Sequence, residues 1–372
     1  MSGLTIPFFG IKKQYNNLRQ EILDATDEVY RSGQVVTGNN TIEFESWLAD
    51  KNKMRYAATC HSGTQALEII AAYYFEQAIE RGINQPVAAI PTYTFPATAN
   101  AFIRAGWDIV FMDCNNVGVS DFTHLPKINI DAIVLIGMFG HSLREAWIEE
   151  QRDNKRFQNT LVIEDAAQHW LSNNCKRVSE NAAISFDPTK NLNNYSNGGA
   201  IVTNNSTFHN FALSYRNNSQ PSHNSVGTNS KMSEVDCAQM LIKTRYLQSW
   251  QDRRSSIADY WASRLRESGI TTLINSQNIK SHGLHKFVIE IDQRHEVREQ
   301  LKTRKIESRI HYKHPLHEQG VFRSYTDPGL LSNASALSRR VLSIPFYPEL
   351  TDLEVEYIVD QLIECVSVSS SL

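Results

Sequence analysis

The chain has 372 residues, enough for two domains and a sizeable buried core. Its 37 lysines and arginines nearly balance 40 aspartates and glutamates, a net charge of −3, and no basic block or stripe appears, which argues against a nucleic-acid partner. Five scattered cysteines (Cys60, Cys114, Cys175, Cys237 and Cys365) form no CxxC pair, and the start MSGLTIPFFGIKKQY is no signal peptide, so the expectation is a cytoplasmic protein with reduced thiols, no metal site and no membrane span.

The first informative segment is Ser62-Gly63-Thr64, just ahead of an apolar-periodic stretch that predicts a helix over 65–81. The free N–H groups and positive potential of a helix start suit a phosphate, and glycine lets the backbone approach it closely. Taken alone, Ser62 or Thr64 reads first as a simple N-cap. Nearly continuous apolar runs follow at 87–90, 109–112, 132–136, 161–164, 182–186 and 200–203, with helix-length segments at 96–105 and 143–155 between them. Such strands belong in a parallel or mixed sheet covered by helices on both faces.

The run at 161–164 ends in Glu164-Asp165, at the edge where α/β sheets collect ligands. A buried carboxylate there needs a partner, either the protonated ring nitrogen of a cofactor or the start of the next helix. One strand-and-turn unit later comes Lys190, in the polar turn SFDPTKNLNNYSNGG. Alone it reads as a solvated surface lysine. The strand at 182–186 delivers it to the same sheet edge as Asp165, however, and Ser185 can offer a hydroxyl to a phosphate.

Further on, Ser233-Glu234-Val235-Asp236 reads as a capping box. The helical pattern behind it runs unbroken to Gly269. A helix of about 233–268 would link two domains, a large one over 1–250 and a smaller α+β one over 251–372. In the latter, a strand over 285–291 precedes a charged helix over 295–306, and a last helix over 352–366 follows Pro345 and Pro348.

Taken together and in order, the segments HSGTQAL, IPTYTFPATANAFIRAG, VIEDAAQ, SFDPTKNLNNYSNGGAIVTN, GTNSKMSEVDCAQM, HYKHPLH and VLSIPFYPELTD resemble the DegT/StrS-type sugar aminotransferases of the aspartate aminotransferase superfamily. The resemblance implies the α/β fold of type I enzymes that use pyridoxal 5′-phosphate (PLP), with a mostly parallel central sheet flanked by helices. It implies that Lys190 is the Schiff-base lysine, that Asp165 partners the pyridinium nitrogen, and that Gln168 bonds the cofactor's phenolic oxygen. Gly63, Thr64 and Ser185 match phosphate ligands, and Phe95 matches the aromatic that stacks on the ring. Asn229 matches an asparagine that reaches the phosphate of a neighbouring subunit, which implies a homodimer with shared active sites. Tyr312 and His317 match positions near the substrate entrance.

The implied reaction converts a keto or aldehydo sugar to an amino sugar for cell-surface polysaccharide or lipopolysaccharide, with glutamate as donor and 2-oxoglutarate released. A nucleotide-linked keto-6-deoxy sugar is the first expectation; a free sugar acid of the 8-amino-3,8-dideoxy-octulosonate type and a non-catalytic ligand-binding homologue are the alternatives. The chain departs from the family pattern at Asn197, where an acid is usual, and at Lys231, where an arginine is usual. His169, His311 and His314 read as packing or mouth-lining residues, and Met138 and Phe139 as core or cleft.

Overall fold

The computed structural model describes residues 5–121, 125–143, 157, 159–274, 277–325 and 331–369. In chain order it begins with helices α1 (Ile11–Ser32) and α2 (Asn39–Lys51), strand β1 (Tyr56–Cys60), α3 (Gly63–Glu80), β2 (Val87–Pro91) and α4 (Ala97–Arg104). It continues with β3 (Asp108–Cys114), β4 (Ser120–Asp121), β5 (Ala132–Leu135), β6 (Leu161–Asp165), β7 (Asn181–Ser185), β8 (Gly199–Thr203), α5 (Ser206–Tyr215), α6 (Glu234–Thr244) and α7 (Leu247–Glu267). The last elements are β9 (Thr271–Thr272), β10 (Phe287–Glu290), α8 (Arg294–Thr303), α9 (Ser332–Arg340), β11 (Val341–Ile344) and α10 (Asp352–Ser369). The six strands expected between 87 and 203 are all present within two residues of their bounds. The helix expected at 143–155 lies, but for Leu143, outside the described residues.

The strands form an eight-stranded sheet in the order β1-β8-β7-β6-β5-β2-β3-β4. Neighbours from β7 through β3 run parallel, β8 lies antiparallel between β1 and β7, and β4 is antiparallel to β3. Both faces are buried, as the apolar runs require. Along β7, Ala183 joins Leu67, Phe102 and Phe208 under α3, α4 and α5, while Ala182 and Ile184 join Phe44, Leu48 and Met240 under α2 and α6. Each fully buried Leu or Phe of these layers contributes about 1.5–3 kcal/mol.

The antiparallel sheet β11-β10-β9 forms a second layer. Phe287 and Ile289 of β10 pack into a core with Trp261, Leu265 and Ile358, and Ile6 from the start of the chain joins them. Val288, between them, points the other way, into a cluster with Tyr93, Met138, Phe139 and Leu337. Leu316 and Phe322 pack into the core of the large sheet. The cavity described below therefore lies between two apolar layers that hold each other.

The single helix expected from Ser233 to Gly269 is two helices. At Arg245 and Tyr246 the backbone bonds tighten to Arg245 N–H→Ile242 O (3.2 Å) and Tyr246 N–H→Lys243 O (3.1 Å). The halves answer to different cores: Ile242 packs on Leu18 and Ile22, and Trp261 and Leu265 on the second sheet. The Ser233 half of the capping box is there. Ser233 accepts from the Asp236 N–H at 3.0 Å, and Glu234 turns away to accept from the N–H groups of Gly38 and Asn40 at the start of α2. Among the described residues no helix is long and apolar enough to cross a membrane. All five cysteines are free and buried.

Candidate active site

Several strand ends converge on one place. Cys60, Pro91, Leu135, Asp165 and Ser185 close β1, β2, β5, β6 and β7, and Gly199 opens the antiparallel β8 beside them. Beyond these ends lies a cavity of about 430 Å³. Gly63, Thr64, Phe95, Asp165, Gln168, Ser185, Lys190 and Tyr312 all line it. Eight of the ten residues expected at a site thus share one space.

The turn before α3 is both a cap and a cradle. Ser62 accepts from the Gln65 N–H at 3.1 Å, so the capping alternative holds for Ser62. The N–H groups of Gly63 and Thr64, first in the helix, have no carbonyl partner within it. Glycine is required here by close approach. A Cβ on Gly63 would lie 2.7 Å from Ser185 Cβ, and one on Gly199 would lie 2.3 Å from the Ser62 carbonyl carbon. The two glycines let β8 and α3 close around the Ser185 hydroxyl and leave an anion-sized cradle.

Asp165 ends β6 almost wholly buried. Its Oδ2 accepts from the Thr98 hydroxyl at 2.7 Å and its Oδ1 from the Ala167 N–H at 3.2 Å. Behind it Glu164 turns to the opposite side. Burial alone would raise its pKa, but Arg177 and His169 outweigh burial and hold it at about 2. Arg177 donates to Glu164 Oε1 at 2.6 Å, and His169 Nε2 lies 2.9 Å from the same oxygen. His169 Nδ1 accepts from the Gly137 N–H at 3.0 Å. His169 is therefore packing, as read from the sequence.

Gln168 accepts from the Phe139 N–H at 2.9 Å, which aims its Nε2 at the cavity, 3.3 Å from the Tyr312 hydroxyl. Tyr312 is held in turn by Tyr93, whose hydroxyl accepts from the Tyr312 N–H at 3.0 Å and donates to the His311 carbonyl at 2.7 Å. Phe95 keeps 56% of its surface exposed at the rim, with its ring 6.1 Å from that of Tyr312. An aromatic left bare beside a cavity fits a ring that stacks on it.

Lys190 follows a tight turn. Its N–H bonds the Asp187 carbonyl at 2.9 Å, and the Asp187 side chain accepts from the Thr189 N–H and hydroxyl at 2.9 and 2.5 Å. Next to it, Asn191 donates to the carbonyls of Gly283 and Leu284, tying the turn to the chain before β10. The Lys190 ammonium has no hydrogen bond or ion pair among the described residues. Burial lowers its pKa, and Asp187 and Asp165 oppose that without cancelling it. A buried amine whose charged form is disfavoured suits a nucleophile and a proton carrier.

Two expected residues lie elsewhere. His317 does not line the cavity: its Nδ1 lies 2.7 Å from the Thr92 hydroxyl and its Nε2 3.1 Å from that of Ser335. Asn229 sits away from this chain's cavity, bridged to Asn217 and accepting from Lys231 Nζ at 3.1 Å. Reading the sequence missed Thr98, Asp187, Lys286, Arg309 and Phe9, all of which line the cavity. They come from five separate segments; Thr98, Asp187 and Arg309 stand in or beside a motif, and Phe9 and Lys286 do not.

The fold places a lysine in a cavity at the carboxyl edge of a mostly parallel α/β sheet. The DegT/DnrJ/EryC1/StrS aminotransferase family model matches residues 16–363, and the chain belongs to that family and is an aminotransferase. Among curated relatives, the chain is 29% identical over 97% of its length (98% of the relative) to the "Pleiotropic regulatory protein" of Geobacillus stearothermophilus. It is 27% identical over 96% of both chains to the dTDP-3-amino-3,4,6-trideoxy-alpha-D-glucose transaminase of Streptomyces venezuelae. Among solved structures, the S. venezuelae DesV protein in complex with a ketimine intermediate superposes with a TM-score of 0.88 at 27% identity, covering 97% of this chain and 98% of that one. A family member from Brucella abortus superposes with a TM-score of 0.87 at 24% identity, covering 97% and 99%.

Proposed function

We propose that this aminotransferase uses PLP bound at Lys190 to convert a keto or aldehydo sugar to an amino sugar. The observation that carries the reading is the convergence of Lys190, Asp165, Gln168, Ser185 and the Gly63 turn on one cavity. These residues fit the cofactor by their chemistry. The cradle of Gly63, Thr64 and Ser185 suits its phosphate, Asp165 suits a protonated ring nitrogen, Gln168 Nε2 suits its phenolic oxygen, and the bare face of Phe95 suits its ring. When bound, PLP supplies an electron sink for the bond broken at the substrate carbon.

The chain's own groups do the rest. Lys190 Nζ would hold the cofactor covalently and, as a free amine, would carry a proton at the substrate carbon. Asp165, fixed by Thr98 and Ala167, would partner the ring nitrogen. Tyr312 and Gln168 orient one another at the entrance, and the apolar layers around them exclude water, which strengthens every polar contact inside.

Glutamate is the proposed donor, with 2-oxoglutarate released. The relatives named for dTDP-linked trideoxy and dideoxy sugars favour a nucleotide-linked keto-6-deoxy sugar; cell-surface polysaccharide or lipopolysaccharide is the proposed destination, and the cytoplasm the proposed location. The same reading has Asn229 complete the phosphate site of a second subunit in a homodimer, and divides the chain into domains at 250/251. Purified protein incubated with PLP should gain the absorbance of lysine-bound cofactor and aminate a keto sugar from a panel, read by mass spectrometry with glutamate as donor. Lys190→Ala should lose both. Full turnover in that variant would sink the reading. A regulatory role is the second reading, favoured by the name of the Geobacillus relative; protein that stays colourless with PLP and turns over no sugar would favour it.

A further inference from the structure

The cavity holds two cations that the reaction described above does not use. Lys286 starts the approach to β10 and Arg309 precedes Tyr312 by three residues; both line the cavity. Lys286 is 6% exposed. Its Nζ lies 5.7 and 5.3 Å from the ring centroids of Phe8 and Phe9, and the Arg309 guanidinium lies 5.2 and 4.8 Å from the same two rings. Two positive groups thus gather on one aromatic pair whose rings meet edge to face at 4.7 Å.

Neither side chain has a hydrogen bond or ion pair among the described residues. The nearby acids are spent elsewhere. Asp187 binds Thr189, Asp165 binds Thr98 and Ala167, and Glu307 accepts from the Phe8 N–H at 2.9 Å. Burial depresses the pKa of Lys286 strongly, and the like charges of Lys190, Arg254 and Arg309 add to it against Asp187. A ring face offsets little of the cost of a buried ammonium. Lys286 is thus left without a counter-charge among the described residues, beside an exposed Arg309 that opens on the same cavity. The phosphate cradle is a separate feature, built on Gly63 and Ser185 at the strand ends, whereas these cations come from the C-terminal layer.

We propose that Lys286 and Arg309 form a receptor for a carboxylate borne by a substrate of this enzyme. A flat guanidinium fork with a point charge beside it suits a carboxylate's two oxygens. The carboxylate has two possible sources, the amino donor with its keto acid product, or a sugar acid. Naming these sources rests on the aminotransferase reading; the anion site itself rests on the two unpaired cations.

The test is calorimetric titration of 2-oxoglutarate, glucuronate and UDP into PLP-treated protein. Wild type is compared with Lys286→Met and Arg309→Gln, with Arg309→Lys as the charge-preserving control. Arg309 is exposed, so its variants keep the fold even where Lys286→Met loses it. Each charge-removing variant should bind carboxylates about 10- to 100-fold more weakly, as expected for a hydrogen bond to a charged group. Arg309→Lys should lose less, and UDP binding should not change. Loss confined to 2-oxoglutarate assigns the site to the donor, loss confined to glucuronate assigns it to a sugar acid, and loss of both makes it common to the two half-reactions. Equal carboxylate affinity in wild type and variants, no carboxylate binding by wild type, or a loss confined to UDP overturns the proposal. If the protein takes up no PLP yet binds carboxylate through Lys286 and Arg309, the receptor stands and the cofactor reading falls.

Discussion

Thr98, in the first turn of α4, donates its hydroxyl to Asp165 Oδ2 at 2.7 Å and so joins the end of β6 to the helix that follows β2. Together with the longer bond from the Ala167 N–H, this bond fixes a buried carboxylate. Thr98→Val removes the donor and keeps the shape. PLP retention and kcat should each fall about 10- to 100-fold, the loss of a hydrogen bond to a charged group. Thr98→Ser should recover most of both. Dialysis of loaded protein and steady-state rates measure it, and unchanged retention in Thr98→Val would show that Asp165 needs no such brace.

Gly63 stands where a Cβ would meet Ser185 Cβ at 2.7 Å. Gly63→Ala should destabilise the fold by about 1–3 kcal/mol through overpacking and close the phosphate cradle. Adding Ser185→Gly should restore the melting temperature without restoring cofactor affinity, because space returns but the hydroxyl does not. Thermal unfolding and PLP titration of the single and double variants separate the two effects.

Lys190 sets a pH dependence. Burial lowers its pKa in spite of Asp187 and Asp165, so the neutral amine persists to lower pH than for a free lysine. In cofactor-free protein the rate of PLP capture should rise with pH and level off below the ordinary lysine range. Asp187→Asn removes an opposing charge and should shift the midpoint further down. A midpoint at or above that of free lysine contradicts the burial of Nζ.

Glu164 and Arg177 are each 1% exposed and form a buried pair at 2.6 Å. Arg177→Met leaves the buried carboxylate without its fixed counter-charge, with only His169 and the Val178 N–H as partners, and should cost about 3–5 kcal/mol. With its pKa held at about 2, below the unfolded value, Glu164 stabilises the wild type above the usual carboxylate range, and that share is lost as pH falls toward 2. In Arg177→Met the dependence should reverse, with stability falling as pH rises and the buried carboxyl is forced to ionise. Urea denaturation across the acid range shows the sign.

Much of the large sheet was legible because its strands are apolar on both faces and stand between turn residues. The break at Arg245 was not, because each half of that segment is a sound helix on its own. The cores that pull the halves apart, Leu18 and Ile22 on one side and the second sheet on the other, lie far off in sequence. At the site, Lys190, Asp165 and the Gly63 turn sat in short motifs that a strand end delivers to a known edge. Thr98 carried no signal of its own, since its role depends on how α4 is set against β6.

Lys190 shows where the division falls. Its place after a strand, its spacing from Asp165 and Ser185, and the family membership of the chain are properties of the sequence, because local pattern decides which residues arrive at the carboxyl edge of a parallel sheet. The surroundings that disfavour the charged form of its amine are tertiary. Burial of Nζ, the bond from Thr98 to Asp165, and the gathering of Lys286 and Arg309 on Phe8 and Phe9 arise only when distant segments pack into one space. Desolvation and charge act through that space and not along the chain.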